Sequence, residues 1–143
     1  MSTGRRAAPL EALYYLAWLV ALTATLGSLY FSEVRQFVPC TLCWYQRILM
    51  YPLVVILGVA AWRRDRGAVA YALPLALLGI VVSVYHVLDQ KIPGFGFPGA
   101  CSSGVPCNVA YIDYLGFITI PVLAATAFVL ISGLLIVAAR RGR

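Results

Sequence analysis

Four apolar stretches, each about 20 residues long, constrain the fold of this chain more than any other feature. They cover approximately residues 10–31, 43–62, 68–88 and 114–139. A helix of that length spans the hydrocarbon core of a bilayer, and a chain of 143 residues that is 62% hydrophobic is too apolar for a soluble domain. The sequence therefore predicts an all-α integral membrane protein, an antiparallel bundle of four transmembrane helices that forms one membrane domain over residues 1–143.

The positive charge of the chain is distributed by side of the membrane. Eight of the eleven lysines and arginines lie in the N-terminal tail, in the turn after the second stretch and at the C-terminus. They are Arg5, Arg6, Arg63, Arg64, Arg66, Arg140, Arg141 and Arg143. An even number of helices places all three segments on one side, which the positive-inside rule identifies as the cytoplasm. Both termini are thus predicted to be cytoplasmic. Because membrane topology accounts for the basic residues, no nucleic-acid partner is predicted despite the net charge of +6.

The four cysteines form two pairs on the opposite, extracytoplasmic side. Cys40 and Cys43 make a C-x-x-C at the start of the second stretch, whereas Cys101 and Cys107 lie in the outer loop at 89–113. Disulfides persist outside the cytoplasm, and glycine and proline allow the loop to bring its two cysteines together. Thiol–disulfide exchange between a pair held at the membrane and a pair on a loop would move two electrons. The pattern predicts a redox relay.

Two polar residues are predicted to lie at the level of the membrane pair. Arg47 follows Cys43 by four residues, so on a helix the guanidinium can reach a thiolate or an anionic ligand. A helix beginning at Cys43 would also favour the thiolate through its free N–H groups. His86 is the one histidine, one turn inside the outer membrane edge. The structural alternatives are an arginine that snorkels to lipid headgroups and a histidine that only hydrogen-bonds at the interface.

A relay of this kind needs an electron acceptor stronger than a protein dithiol. A membrane quinone fits, because it is lipid-soluble, accepts two electrons and has an anionic reduced state that Arg47 could stabilise. Arg47 is therefore the predicted quinone contact, and no metal is predicted.

Several motifs together resemble the disulfide bond formation protein B (DsbB) family, and the short loop resembles its BdbC-type branch. They are CTLCWYQR at 40–47, Tyr85-His86, the loop cysteines with five residues between them, and LGFITIP at 115–121. The resemblance implies a multi-pass protein of the bacterial cell (inner) membrane. It also implies that the protein reoxidises an extracytoplasmic thioredoxin-fold thiol oxidase, a DsbA-like partner, and passes electrons to ubiquinone or menaquinone.

The resemblance further implies a role for each site residue. Cys43 would be the thiolate that faces the quinone, and Cys40 its partner in exchange with the loop pair. Arg47 would bind quinone, with His86 as a neighbour. The client oxidase would attack Cys101, with Cys107 as the resolving partner. A four-helix bundle of this size is able to function as a monomer.

Two other functions are alternatives to the relay. A vitamin K epoxide reductase-like quinone reductase is disfavoured, because in that class the active C-x-x-C follows the loop cysteines instead of preceding them. The second is a scaffold that is not an enzyme, held by a four-cysteine metal site or by two inert disulfides. It is disfavoured by the five-residue spacing of the loop pair and by Arg47, which would have no role there.

Overall fold

The computed structural model describes residues 2–38, 40–92, 94 and 118–142, with side chains from residue 9 onwards. All regular elements in these residues are helical. They are α1 (Ser2–Leu29), which continues into a π-helical turn (Tyr30–Val34), α2 (Thr41–Arg63), a 3-10 turn (Arg66–Ala68), α3 (Val69–Lys91) and α4 (Ile120–Arg141). Four helices are long and apolar enough to cross a membrane. The prediction of an all-α protein with four membrane-spanning helices is confirmed.

The first two helices begin earlier than predicted. α1 starts at Ser2 and includes Pro9. The alanines and arginines that precede this proline are good helix formers. α2 starts at Thr41, and Cys40 is its N-cap with extended backbone (φ −79°, ψ 176°). Cys43 therefore lies inside the first turn of α2, and the prediction that this helix begins at Cys43 is wrong by two residues.

The last helix begins later than the predicted residue 114. Thr119 has extended backbone (φ −117°, ψ 170°) and is the N-cap of α4, whose second residue is Pro121. Proline suits a first turn, because its φ is preset and the N–H that it lacks has no partner within the helix there. The start of α4 at Ile120 follows from this preference of proline for a first turn. The length of the apolar stretch alone does not indicate where the helix begins.

The four helices pack in a ring in which each contacts its two neighbours. α1 lies against α2 and α4, and α3 lies against the same two helices. Alanines fill the inner faces: Ala17 and Ala21 on α1 and Ala72 and Ala76 on α3 have no exposed surface. Small side chains let helix backbones approach closely, which membrane helices need because lipid is as apolar as their own side chains.

The outer surface of the bundle is apolar. Val55 is 66% exposed, Val81 65% and Leu26 57%. A soluble monomer rarely exposes a continuous apolar surface of this kind, whereas hydrocarbon chains would cover it at no cost. Together with the four long apolar helices, this surface identifies a multi-pass membrane protein.

The N-terminal part of α1 and the turn between α2 and α3 lie at the same end of the bundle. Arg64 forms an ion pair with Glu11 at 3.0 Å, and the Tyr14 hydroxyl donates to the carbonyl oxygen of Arg66 at 3.2 Å. Arg64 is largely exposed, so its ion pair positions the turn more than it stabilises the fold. The C-x-x-C lies at the opposite end of α2, as the predicted topology requires.

A glycine of α3 packs against a phenylalanine ring of α4. The Phe128 ring is fully buried, and a Cβ added at Gly79 would lie 2.2–2.5 Å from three of its atoms. Gly79→Ala is therefore expected to destabilise the bundle by about 1–3 kcal/mol. The measurement is the temperature at which half of the detergent-solubilised protein loses its monodisperse elution peak.

Gly133→Ala is the matched control, because no atom lies within 4 Å of a Cβ added there. Alanine is a better helix former than glycine, so this variant is expected to elute like the unmodified protein or to withstand a higher temperature. Equal heat resistance of Gly79→Ala and the unmodified protein would contradict the described packing of α3 on α4.

Candidate functional site

The two cysteines of the C-x-x-C meet at the N-terminus of α2. Cys40 caps the helix and Cys43 completes its first turn, which brings their sulfur atoms to 3.3 Å from each other. Both are free thiols in this structure. Cys40 is only 5% exposed, so its thiol is almost fully buried in this structure. At this separation a small movement of either side chain would close a disulfide.

A buried polar network extends from Cys40 to α3 and back to α2. His86 is 1% exposed, and its Nε2 lies 3.6 Å from the Cys40 sulfur. Its other ring nitrogen, Nδ1, lies 3.2 Å from the amide nitrogen of Gln46, which is also buried. An amide N–H donates and cannot accept, so this contact assigns the ring proton to Nε2. The imidazole thus presents its N–H to the Cys40 sulfur.

These contacts lower the pKa of Cys40, which lies just outside the membrane-spanning part of α2. The hydrogen bond with the Cys43 thiol has the largest effect and the contact with His86 adds to it, which brings the pKa of Cys40 to about 4. An ordinary cysteine has a pKa of about 8.5. Negative charge in the reduced pair is therefore favoured on Cys40 at neutral pH, which differs from the thiolate at Cys43 expected from the sequence.

A pH titration of the reduced protein checks this assignment. Since a lowered pKa means that the charged form is lost only as the pH falls, the ultraviolet thiolate absorbance should persist from about pH 8 to about pH 6 and then disappear as the pH approaches about 4. The loop thiols are removed first by Cys101→Ser with Cys107→Ser.

Cys43→Ala is the informative variant in this titration, because it removes the hydrogen-bond donor and should shift the loss of absorbance to higher pH. Cys40→Ser is the control and should remove the absorbance at neutral pH. A thiolate that appears only above about pH 8 in the parent protein would contradict the assignment.

A cavity of about 550 Å³ lies between α1, α2 and α4, next to the pair. Its walls are mainly apolar, and Cys43, Gln46 and Arg47 line it together from α2. The Arg47 guanidinium donates from Nη2 to the carbonyl oxygen of Ser28 at 3.2 Å and lies 5.2 Å from the centre of the Trp44 ring. Arginine carries five N–H donors, of which the bond to Ser28 uses one. The Arg47 guanidinium is thus held on the same cavity wall as the Cys43 side chain.

The two sulfurs of the pair lie in different surroundings. Among the described residues, the cavity wall includes Cys43 but neither Cys40 nor His86. Cys40 instead packs toward Val82 and Tyr85 of α3. Of the two adjacent sulfurs, only that of Cys43 therefore belongs to the cavity wall, whereas Cys40 lies toward α3. Gln46 connects the two surroundings because it lines the cavity and contacts His86.

A family model for the disulfide bond formation protein DsbB matches residues 10–138, which is most of the chain. The chain belongs to the DsbB family. This membership identifies it as a membrane protein of disulfide bond formation, and therefore of oxidoreductase chemistry. It also confirms the family resemblance found in the motifs of the sequence.

Curated relatives of this DsbB-family chain carry related names. It is 59% identical over 117 residues to disulfide bond formation protein C of Bacillus subtilis, which covers 82% of this chain and 85% of the relative. It is 53% identical over 125 residues to a probable disulfide formation protein of Coxiella burnetii, with 87% and 85% covered. A probable disulfide formation protein C of Halalkalibacterium halodurans is 53% identical over 115 residues, with 80% and 84% covered. No solved structure matches.

The structure brings together the predicted residues on α2 and α3, but not in the expected grouping. Arg47 shares the cavity with Cys43, whereas His86 lies beside Cys40. The roles predicted for these residues of the DsbB-family chain stay predictions. Cys101 and Cys107 lie outside the described residues.

Sequence reasoning missed Gln46. This residue is 6% exposed, hydrogen-bonds His86 and lines the cavity. A signal was present, because polar residues within membrane spans usually face the interior of a bundle and serve a function. Gln46 stands between Cys43 and Arg47 in a helix that is otherwise largely apolar, which is the position at which this rule applies.

Proposed function

We propose that this DsbB-family protein is a membrane thiol:quinone oxidoreductase. It reoxidises an extracytoplasmic thioredoxin-fold thiol oxidase, a DsbA-like partner, and passes the electrons to ubiquinone or menaquinone. The observation that carries the proposal is that Cys43 lines an apolar cavity together with Arg47, while Cys40 does not. Cys43 can thus donate electrons to a lipid-soluble acceptor in the cavity, and Cys40, which is not on the cavity wall, is available for exchange with the loop pair.

The cavity fits a quinone in size and chemistry. Its volume of about 550 Å³ lies within the usual range of small-molecule sites, roughly 300–1,000 Å³. Apolar walls suit the ring and its hydrocarbon tail, and Arg47 supplies donors for a carbonyl oxygen. Cys40 and Cys43 release two electrons and two protons when they form one S–S bond, and a quinone held in the cavity would accept them and become quinol. Gln46 is a second polar group on the same wall.

The two cysteines on α2 have different roles: Cys40 exchanges with the loop pair, and Cys43 donates electrons at the cavity. A client thiolate attacks Cys101, and the loop disulfide breaks as Cys107 is released. The Cys107 thiolate then attacks Cys40, and the bond between Cys40 and Cys43 breaks, so that Cys43 is released as a thiolate at the cavity. The N–H groups of the first turn of α2 and the Arg47 guanidinium stabilise that negative charge. The client's second thiolate then releases Cys101, and the Cys101 thiolate attacks Cys107 and frees Cys40. Each exchange forms one S–S bond and breaks one, and together they leave the client oxidised and the pair on α2 reduced.

The proposed function also sets the orientation of the bundle. As a single membrane domain of the bacterial cell membrane, the protein would expose the cysteine end of α2 to the extracytoplasmic side and the turn at Arg64 to the cytoplasm. The end that carries Glu11 and Arg64 is the basic one, in agreement with the positive-inside rule. The DsbA-like client would then meet the loop cysteines on the extracytoplasmic side.

The deciding experiment follows the absorbance of a soluble quinone analogue under anaerobic conditions. The detergent-solubilised protein is mixed with a reduced thioredoxin-fold dithiol protein, and the oxidised quinone is expected to disappear catalytically. The variant with Cys101→Ser and Cys107→Ser is the control, since it keeps the pair on α2 but has no entry point for client electrons. Quinone that stays oxidised with several partners and analogues, while the cysteines prove unreactive, would overturn the proposal.

A further inference from the structure

Three side chains that bind soft metal ions converge at the N-terminus of α2. The ligand atoms of Cys40, Cys43 and His86 all lie within 4.8 Å of one another. Cys40 and His86 are buried, and Cys43 is half-buried. Thiolates and imidazole are the ligands that Zn²⁺ prefers, and removal from water strengthens their hold on a cation. The redox role proposed for Cys40 and Cys43 does not account for the buried imidazole beside them.

Two of the three ligand-atom distances can be compared with those of tetrahedral coordination. Bond lengths of about 2.3 Å to sulfur and about 2.0–2.1 Å to nitrogen place two sulfurs roughly 3.8 Å apart, and a sulfur and a nitrogen roughly 3.5 Å apart. The two sulfurs are 3.3 Å apart here, and the Cys40 sulfur lies 3.6 Å from His86 Nε2. A small side-chain rotation of one cysteine would adjust the sulfur separation. Three protein ligands leave a fourth position open.

We propose that the reduced pair and His86 form a binding site for a soft divalent cation such as Zn²⁺. The site exists only while Cys40 and Cys43 are reduced, because a disulfide between them removes both thiolate ligands. Binding releases the thiol proton or protons still held by the pair, and the proton on His86 Nε2 moves to Nδ1. The donor set is two sulfurs and one nitrogen from two helices, which differs from the four-cysteine site considered from sequence.

Gln46 is the residue that would orient the histidine ligand. In the metal-free site its amide nitrogen donates to His86 Nδ1. With an ion on Nε2, Nδ1 carries the proton, and a half-turn of the amide presents its oxygen as the acceptor. Partners of this kind hold a ligating histidine in its orientation, and their removal typically weakens metal binding by about 10–100-fold. Gln46 is therefore a positioning residue for the ion.

A bound ion would make the reduced enzyme inactive until the ion leaves. It would occupy the sulfur that exchanges with the loop and the sulfur that faces the cavity. This consequence rests on the proposed function, whereas the binding itself does not. The site would thus link turnover to the level of free soft metal ions outside the cell.

Cobalt titration tests the site directly, with Co²⁺ as the spectroscopic probe. The protein with Cys101→Ser and Cys107→Ser is reduced, freed of reductant under anaerobic conditions and titrated in detergent. Sulfur-to-cobalt charge-transfer bands and visible bands of tetrahedral cobalt are expected to saturate at one ion per chain and to disappear when Zn²⁺ is added. The same protein in its oxidised form needs no further substitution and is expected to give no bands.

Substitutions distinguish the contribution of a metal ligand from that of Gln46, which orients His86. His86→Asn is expected to weaken binding by at least about 100-fold, whereas Gln46→Leu, which keeps all three ligands, should weaken it by about tenfold. Gln46→Glu should restore or strengthen binding, because a carboxylate accepts from Nδ1. Absence of the cobalt bands in the reduced parent protein would overturn the proposal, as would bands of equal strength in the oxidised protein.

Failure of this proposal and failure of the proposed function give different results. Quinone reduction measured in the presence of a chelator reports on the relay alone, and cobalt spectra measured without quinone report on the metal site alone. If both hold, added Zn²⁺ is expected to slow turnover reversibly, and more strongly in the unmodified protein than in Gln46→Leu.

Discussion

Cys43→Ser is expected to abolish quinone reduction. Cys43 is the sulfur of the pair that lines the cavity, and a serine hydroxyl can neither form a disulfide nor ionise at neutral pH. Oxidation of the client and reduction of the quinone should therefore both be lost, and reduced client and oxidised quinone should persist together. The measurement is the anaerobic quinone absorbance, with the redox state of the client followed by gel shift after thiol alkylation.

A matched change in the same helical turn serves as the control. Thr41→Ser leaves both sulfurs and the N-cap in place, and the threonine is already half-buried at the first position of α2. This variant is expected to keep wild-type turnover. Unchanged turnover in Cys43→Ser would remove Cys43 from its proposed role as electron donor, and equal loss in Thr41→Ser would attribute the effect to the helix start instead.

Arg47→Lys is expected to raise the KM for quinone by about 10–100-fold while the KM for the client stays the same. The guanidinium bonds the Ser28 carbonyl and lies over the Trp44 ring, and its planar set of donors can hold a ligand at the same time. A lysine ammonium has no such fork. A hydrogen bond to a charged group is worth about 1.5–3 kcal/mol, which corresponds to that change in KM.

Arg35→Lys provides the matched control for the arginine. Arg35 lies over the Phe37 ring at 5.4 Å, near the same end of the bundle, but is exposed and is not among the described residues that line the cavity. The same chemical change there is expected to leave the KM for quinone unaltered. A raised KM for the client in Arg47→Lys, with normal quinone dependence, would count against quinone binding by Arg47.

The membrane class and the four helices could be predicted from sequence because each depends on local chain length and apolarity. A span near 20 apolar residues is a helix in a bilayer whatever its neighbours are. The helix boundaries were less accurate, since they depend on caps. Cys40 and Thr119 adopt extended backbone before α2 and α4, and Pro121 fits a first turn, which moved the start of α2 to Thr41 and that of α4 to Ile120.

Part of the site could be predicted for the same local reason. The spacing of Cys40, Cys43 and Arg47 along one helix places them within two turns of each other in any packing of the bundle. Cys43 and Arg47 on the cavity wall and Cys40 at the N-cap therefore lie near one another, as the motif predicts. The family membership could likewise be predicted from the order of motifs along the chain.

The tertiary structure alone decided which residues meet across helices. His86 lies 46 positions from Cys40, and its contact with that sulfur and with Gln46 depends on how α3 is rotated against α2. Hydropathy cannot specify this rotation, because the helices are apolar on the side that faces lipid as well as on the side that faces the bundle. The cavity, the bond from Arg47 to Ser28 and the convergence of three metal-binding side chains follow from close packing around alanines and glycine. The sequence determined that there would be four spans with a C-x-x-C at the mouth of one of them, and packing decided what each sulfur faces.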